Sequence, residues 1–432
     1  MERALFVFHK MDRFTAKKCY PVRTDSIIIK AILKECKRGL ILTLHQLDER
    51  IQELLDKHRI VGLAASVMRD GRQIWSGGYG WANLDRRIPV TERTVFRIAS
   101  ISKTVVATAI MRLVEQGLCA LESDIGQYLG FPVRNPKHPQ LPITLKHLMT
   151  HTSSLQDEYV RFVVDSRNEN PPRLRLTDIL LPNGAYYTDK LWGDGQPGDP
   201  GGFEYTNLGA VILATIVEKL TGERFDLYCR RHIFEPLGMK DTSFNINDIK
   251  DLDDVATLYQ FNEKENRYIA QLDDFQGQRS EPIDYSDYVP GVNGALFSPQ
   301  GGLRTTVQDL ARFLEAHANR GERNGARILK PETVDLMHAA HWSGYRREGF
   351  FRNSGLQFLI TEDLIPGQRL IGHSGDAYGL LSDMFFHKQQ RWGIILFMNG
   401  LHQTKSQQGV YFKAEEDLAR LLHDTFLKDN RS

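Results

Sequence analysis

Ser100 and Lys103 stand three residues apart near the head of FRIASISKTVVATAIMRLVEQG, residues 96–117. Val105, Ile110, Leu113 and Val114 recur near helical spacing and Gly117 is a natural stop, which predicts an amphipathic helix beginning at Ser100. Residues i and i+3 are neighbours on a helix face, so the amine can reach the hydroxyl. A serine hydroxyl is a weak nucleophile at neutral pH and needs a base within hydrogen-bond reach. Lysine can be that base once burial beside other donors or cations lowers its pKa from about 10.4 toward neutrality. The amide dipoles at a helix start would also favour negative charge developing on a substrate oxygen beside Ser100. S-x-x-K alone is a short pattern, and a capping serine followed by a solvated lysine satisfies it equally.

Two further clusters follow in the order such chemistry wants. Tyr205-Thr206-Asn207 places a phenol and a carboxamide two residues apart at the mouth of the helix LGAVILATIVEKLTGE, for which Gly222 is the stop. His373-Ser374-Gly375 falls on a predicted strand.

The elements that must position these groups come from both ends of the chain. LTLHQLDERIQELLDKHRI carries Leu44, Leu47, Ile51, Leu54 and Leu55 on one stripe, an amphipathic helix. VGLAASVMRDGRQIWSGGYG reads as a hairpin across Arg69, Asp70 and Gly71. From about 120 to 295 short helical pieces alternate with loops rich in Gly, Pro and Asp, the densest being WGDGQPGDPGGF, which reads as a helical insertion. Strand patterns return in GLQFLITEDL, QRLIGHSGDA and GLLSDMFFHKQQRWGIILFMNG, the last as two strands around Lys388 to Arg391, and GVYFKAEEDLARLLHDTFL predicts a closing helix. The expected class is α+β, with one antiparallel sheet assembled from about 43–119 and 296–425.

Bulk properties exclude several classes. The 432 residues, 41% of them apolar, can bury a substantial core. The 55 basic and 54 acidic side chains nearly cancel, so no global field draws the chain to nucleic acid or an anionic membrane. Cys19, Cys36, Cys119 and Cys229 show neither C-x-x-C pairing nor zinc-ligand spacing, so neither a metal nor a disulfide framework is expected. Residues 1–42 carry ten Lys/Arg against four Asp/Glu and an apolar stretch broken by charges, too interrupted for a transmembrane span. A basic, partly disordered extension on a cytoplasmic protein is the expectation, with a mitochondrial presequence, a periplasmic location or an overlong gene start as alternatives.

S-x-x-K opening a helix, Y-x-N in a helical insertion and H-x-G on a late strand together resemble the serine β-lactamase and penicillin-binding-protein superfamily, in its class C-like branch. HLMTHTSSL (147–155), EPLGMKDTSF (235–244) and GGLRTTVQDLARF (301–313) add to the likeness, which runs from about 45 to 425. The resemblance implies a β-lactamase/transpeptidase-like fold with an antiparallel sheet flanked by helices, a helical subdomain, and the site at their seam. It implies an acyl-enzyme on Ser100, with Lys103 accepting its proton and Tyr205 shuttling protons to the leaving group and from the deacylating water. Asn207 would orient Lys103, His373 would stand where many relatives carry lysine, and Gly375 would allow an extended substrate to pair with the strand. The amides of Ser100 and Asp376 would form the oxyanion hole. Small-molecule esters, amides or peptides are the implied substrates, without a cofactor. β-Lactamase, DD-carboxypeptidase and a non-catalytic scaffold retaining the fold are the alternatives.

Other features compete for attention. Ser154 occupies a place where relatives often have glycine. A neutral His373 would hold a substrate carboxylate less well than lysine. Gly372 to Asp376 nearly matches the G-x-S-x-G elbow of α/β-hydrolases with Ser374 as nucleophile, but the last glycine is missing and no alternating strands and helices precede it. His147 and His151 have i, i+4 spacing without the glutamate of H-E-x-x-H, so structural roles are expected. Tyr186, Tyr187, Trp192 and Phe203 could line an acyl pocket or form local core, and Arg304 could bind a carboxylate or simply lie on the surface.

Overall fold

Asp70 and Gly71 have φ of 52° and 73°, the paired left-handed geometry of a tight hairpin turn, and they join β1 (Gly62–Arg69) to β2 (Arg72–Asn83) as the Asp-Gly step predicts. In this computed structural model the described residues are 44–156, 174–278, 282–292, 294–344, 353–402 and 410–428, all within the unit Arg38–Ser432. The basic extension 1–42 therefore lies outside the described residues.

β1 is central because its other edge is taken by a strand from the far end of the chain. With β3 (Ile88–Pro89), β4 (Trp342–Ser343), β5 (Asn353–Ser354), β6 (Leu359–Thr361), β7 (Leu370–Ala377), β8 (Leu380–His387) and β9 (Trp392–Asn399), the order is β4-β5-β6-β7-β8-β9-β1-β2-β3. Each pairing is antiparallel, and β1 meets β9 in the register Leu63↔Met398 and Val67↔Ile394.

Alternation along the strands gives the sheet two apolar faces. On one, Trp75 meets Phe426 at 5.3 Å between ring centroids and Trp392 meets His423 at 5.1 Å, seating helix α6 (Lys413–Phe426). Helix α1 (Leu44–His58) shares this face, tied to β2 by the Tyr79 hydroxyl donating to Asp48 at 2.6 Å. On the other face, Gly393 leaves room for Leu314 of α5 (Val307–Ala318), where a Cβ would lie 2.8 Å from the Leu314 side chain.

Beyond α5 lie α2 (Ser102–Glu115), α3 (Leu145–Met149) and α4 (Asn207–Thr221), the last ended by Gly222 at φ 68°. Most of α2 and α4 is buried, so they act as core helices linking the sheet to the segment 120–295. That segment is mostly short helices, but it also holds a two-stranded ladder of Leu258–Asn262 with Arg267–Leu272. No helix among the described residues is long and apolar enough to cross a membrane.

Candidate active site

Ser100 is presented by a strained turn. A two-residue ladder pairs Phe96 with Thr305 and Arg97 with Arg304, and the Ile98 amide then donates to the Leu303 carbonyl at 2.9 Å. Ala99 follows at φ 46°, a left-handed conformation that costs an L-residue roughly 1–2 kcal/mol. Ser102 holds it there, its hydroxyl donating to the Ala99 carbonyl at 2.6 Å and accepting from the Leu303 amide at 3.1 Å. The helix expected to begin at Ser100 does so as a 3₁₀ turn over Ala99–Ile101, with regular α-helix from Ser102. In a 3₁₀ turn residues i and i+3 eclipse, which draws Lys103 over Ser100.

Lys103 is completely buried with three acceptors around its amine. Nζ lies 3.0 Å from Ser100 Oγ, 2.8 Å from Asn207 Oδ1 and 2.8 Å from the Gln300 carbonyl. An ammonium satisfies all three. A neutral amine has two N–H bonds and one lone pair, and two of its neighbours are carbonyl oxygens that only accept. Its lone pair is thereby left to the Ser100 hydroxyl.

Tyr205 completes the wall above the amine, with Nζ 4.8 Å from its ring centroid, within cation–π range. Its ring packs at 4.4 Å on His151, whose Nδ1 accepts from the Thr206 amide at 3.3 Å. Phe203 meets His151 at 5.8 Å and Trp342 at 4.1 Å between centroids, while the Trp342 indole donates to the Pro200 carbonyl at 2.7 Å.

β7 forms the opposite wall. Gly375 abuts the turn before Ser100 so closely that a Cβ would lie 2.7 Å from the Ile98 carbonyl oxygen and 3.0 Å from the Ala99 methyl. His373, two residues earlier on the same face, has its ring centroid 6.2 Å from that of Tyr205. Asp376 is exposed one step beyond Gly375. β6 pairs only with Leu370, Ile371 and Gly372, because the chain before it leaves the sheet at Gln357, at φ 58°, whose amide donates to Met149 and whose side chain donates to Leu148. The β6 ladder therefore stops before His373, at the end of β7 that lies against the Ser100 turn.

The beta-lactamase family matches residues 47–417. The chain belongs to that family. Penicillin-binding protein 4* of Bacillus subtilis (strain 168) is 25% identical over 399 residues, covering 89% of this chain and 77% of that protein. The octameric penicillin-binding protein homologue from Pyrococcus abyssi superposes with a TM-score of 0.67 at 26% identity, covering 88% of this chain and 77% of that one. D-amino acid amidase from Ochrobactrum anthropi SV3 shares the fold, at 23% identity and a TM-score of 0.65 over 87% of this chain and 98% of its own. Other curated relatives match 82% of this chain, which spans 62% of their length. Family membership makes the protein a serine hydrolase of the β-lactamase and penicillin-binding-protein superfamily.

Against this beta-lactamase framework the competing sequence features resolve physically. Ser374 is mid-strand rather than on an elbow, and its hydroxyl donates to Asp383 at 2.8 Å on the face away from Gly375. Arg304 is buried in a two-pronged pair with Asp273 at 2.9 and 2.6 Å, so its guanidinium is already engaged. His147 closes a capping box with Thr144, and no metal-binding group of His, Cys, Asp or Glu occurs among the described residues. Of the four aromatics, Phe203 reaches the Tyr205 wall, Trp192 is buried beside Leu155, and Tyr186 and Tyr187 pack on the core.

Three contributors owe their place to tertiary contacts that local spacing does not reveal. The Gln300 acceptor is a backbone carbonyl, which any residue supplies. Ser102 and His151 act through partners 201 and 55 residues distant, Leu303 and Thr206.

Proposed function

We propose that the protein hydrolyses carboxylic esters or small amides and peptides through an acyl-enzyme on Ser100. The observation that carries this reading is the Lys103 amine held 3.0 Å from Ser100 Oγ, with its other two hydrogen-bonding directions given to Asn207 and the Gln300 carbonyl. Ser100 Oγ attacks the substrate carbonyl carbon as its proton passes to Lys103, giving a tetrahedral oxyanion that the Ser100 and Asp376 amides face. Tyr205 passes a proton to the departing alcohol or amine, and the carbon–leaving group bond breaks. Water then attacks the ester on Ser100, its proton returning through Tyr205 and Lys103 to Oγ, and the carboxylic acid leaves. Asn207 positions the amine, and the end of β7 beyond the β6 ladder receives the acyl chain.

Similarity to a penicillin-binding protein supports a peptide-cleaving variant of this reading, with β-lactam turnover or DD-carboxypeptidase activity as its specific forms. Intact-protein mass spectrometry after incubation with a fluorophosphonate and, separately, a penicillin separates these readings. A phosphonate adduct on the wild type that is lost in Ser100→Ala and sharply slowed in Lys103→Ala is the expected result. A lasting penicillin adduct moves the assignment to a penicillin-binding enzyme, and no adduct from either reagent leaves a non-catalytic scaffold.

A further inference from the structure

His373 is 2% exposed, and its Nδ1 lies 2.5 Å from the carbonyl oxygen of Ser374. A carbonyl only accepts, so Nδ1 carries the proton and donates, which leaves Nε2 of the neutral ring with a lone pair. Burial first, and the neighbouring Lys103 amine second, push the imidazole down to about 3, so the ring is neutral across the physiological range. Nε2 is buried and has no hydrogen-bond partner among the described residues. The side chain lies on the Ser100 side of the sheet, since Gly375 shares its face and abuts Ile98 and Ala99 while Ser374 turns away to Asp383. A buried acceptor without a donor carries a desolvation cost that a ligand's N–H relieves.

We propose that His373 is a specificity-determining acceptor whose Nε2 takes a hydrogen bond from a substrate N–H, so that the site selects ligands ending in a carboxamide over those ending in a carboxylate. The proposal rests on the acyl-enzyme reading above and names the substrate class of the same site. A carboxylate presents only acceptors, and two acceptors face to face repel. The imidazolium that would reconcile them is suppressed by burial. Lysine at this position would have the opposite preference, having only donors and a positive charge.

The test is calorimetric titration of matched ligands into the full chain carrying Ser100→Ala, which prevents turnover. The pair is N-acetyl-alanyl-alanine with a terminal carboxamide and the same dipeptide with a free carboxylate, each in D and L series. The carboxamide is expected to bind about tenfold or more tightly. Adding His373→Lys reverses the order, and adding His373→Leu, which removes the acceptor without introducing a charge, abolishes the preference. Equal affinity within about twofold, tighter binding of the carboxylate, or detectable binding of neither ligand overturns the proposal. Failure of the acyl-enzyme reading shows separately, as absence of the phosphonate adduct on wild-type Ser100.

Discussion

Asn207 Oδ1 accepts a hydrogen bond from Lys103 Nζ across 2.8 Å, tying the first turn of α4 to the first turn of α2 over 104 residues of chain. The carboxamide thus fixes one of the two N–H directions that leave the amine lone pair to Ser100. Replacing Asn207 with alanine should slow phosphonate labelling of Ser100 on the order of 10²-fold, and Lys103→Ala by about 10²–10⁴-fold. Asn207→Asp retains an acceptor but adds a negative charge that favours the protonated amine, so labelling should still slow. Labelling rates for all three variants, with circular dichroism as a folding control, decide this. Unchanged labelling in Asn207→Asp and Asn207→Ala would remove Asn207 from the machinery.

Three buried imidazoles have assignable tautomers. The Thr108 hydroxyl donates to the Thr104 carbonyl at 2.8 Å, so at 3.1 Å from His317 Nε2 it accepts, and that nitrogen carries the proton. His317 Nδ1 must then accept from His338 Nε2–H across 3.2 Å. His317 is pushed down to about 3 by burial, and His338 well below its usual value by burial, His317 and Lys388. Nitrogen-15 spectra at pH 5 should show neutral rings protonated on Nε2 for His317 and His338 but on Nδ1 for His373. An imidazolium signal at any of the three would contradict the hydrogen-bond chain.

Glu218 gives the fold a pH signature. It is fully buried in α4 and accepts from Tyr288 at 2.5 Å, Phe225 N at 2.8 Å and Gly291 N at 2.8 Å. Burial pushes its carboxyl from 4.5 up to about 6, against the pull of those three donors. A raised carboxyl pKa means the folded state binds the proton more tightly. Its stabilising contribution is complete below pH 4.5 and is lost as pH rises through about 6. Between those limits a shift of this size is worth about 2 kcal/mol. Denaturant unfolding of wild type and Glu218→Gln should show the gap between them widening by that amount as pH falls from 7 to 4.5. A gap constant with pH would refute the assignment.

Ser154 shows how this chain holds a residue other than glycine in a left-handed backbone. Its backbone is left-handed at φ 63°, and its hydroxyl accepts from Asn135 Nδ2 at 3.0 Å. Ser154→Ala keeps the strain and loses the hydrogen bond, so it should destabilise by about 1–2 kcal/mol. Ser154→Gly loses the same bond but relieves the strain, so it should lie about 1 kcal/mol above the alanine variant. Thermal unfolding of the two variants side by side measures the difference. Equal melting temperatures would show that the left-handed backbone stores no strain here.

Where local rules govern, the structure follows the sequence closely. The Asp70-Gly71 turn, the stripe of α1, the Gly222 stop and the two strands around Lys388 to Arg391 appear as expected, because each is set by neighbours within a few residues. The departures come where distant chain intrudes. The first turn at Ser100 is 3₁₀ because Ser102 and Leu303 hold Ala99 left-handed. The ladder Leu258–Asn262 with Arg267–Leu272 lies in a stretch that read as helical, and Leu258 and Tyr259 on one of its strands are buried in the core.

By itself the sequence determined the local pairings among the candidate residues, since Ser100 and Lys103 fall one helical turn apart and Tyr205 and Asn207 flank the start of α4. Only tertiary structure decided what those side chains do to one another. The amine of Lys103 meets a backbone carbonyl 197 residues away, Arg304 is engaged by Asp273, and His373 keeps its lone pair on Nε2 because Nδ1–H donates to the Ser374 carbonyl. Spacing along a chain fixes periodic neighbours within a few residues. Hydrogen-bond partners across a packed core depend on how whole elements dock, and that information is spread over every residue that lets them do so.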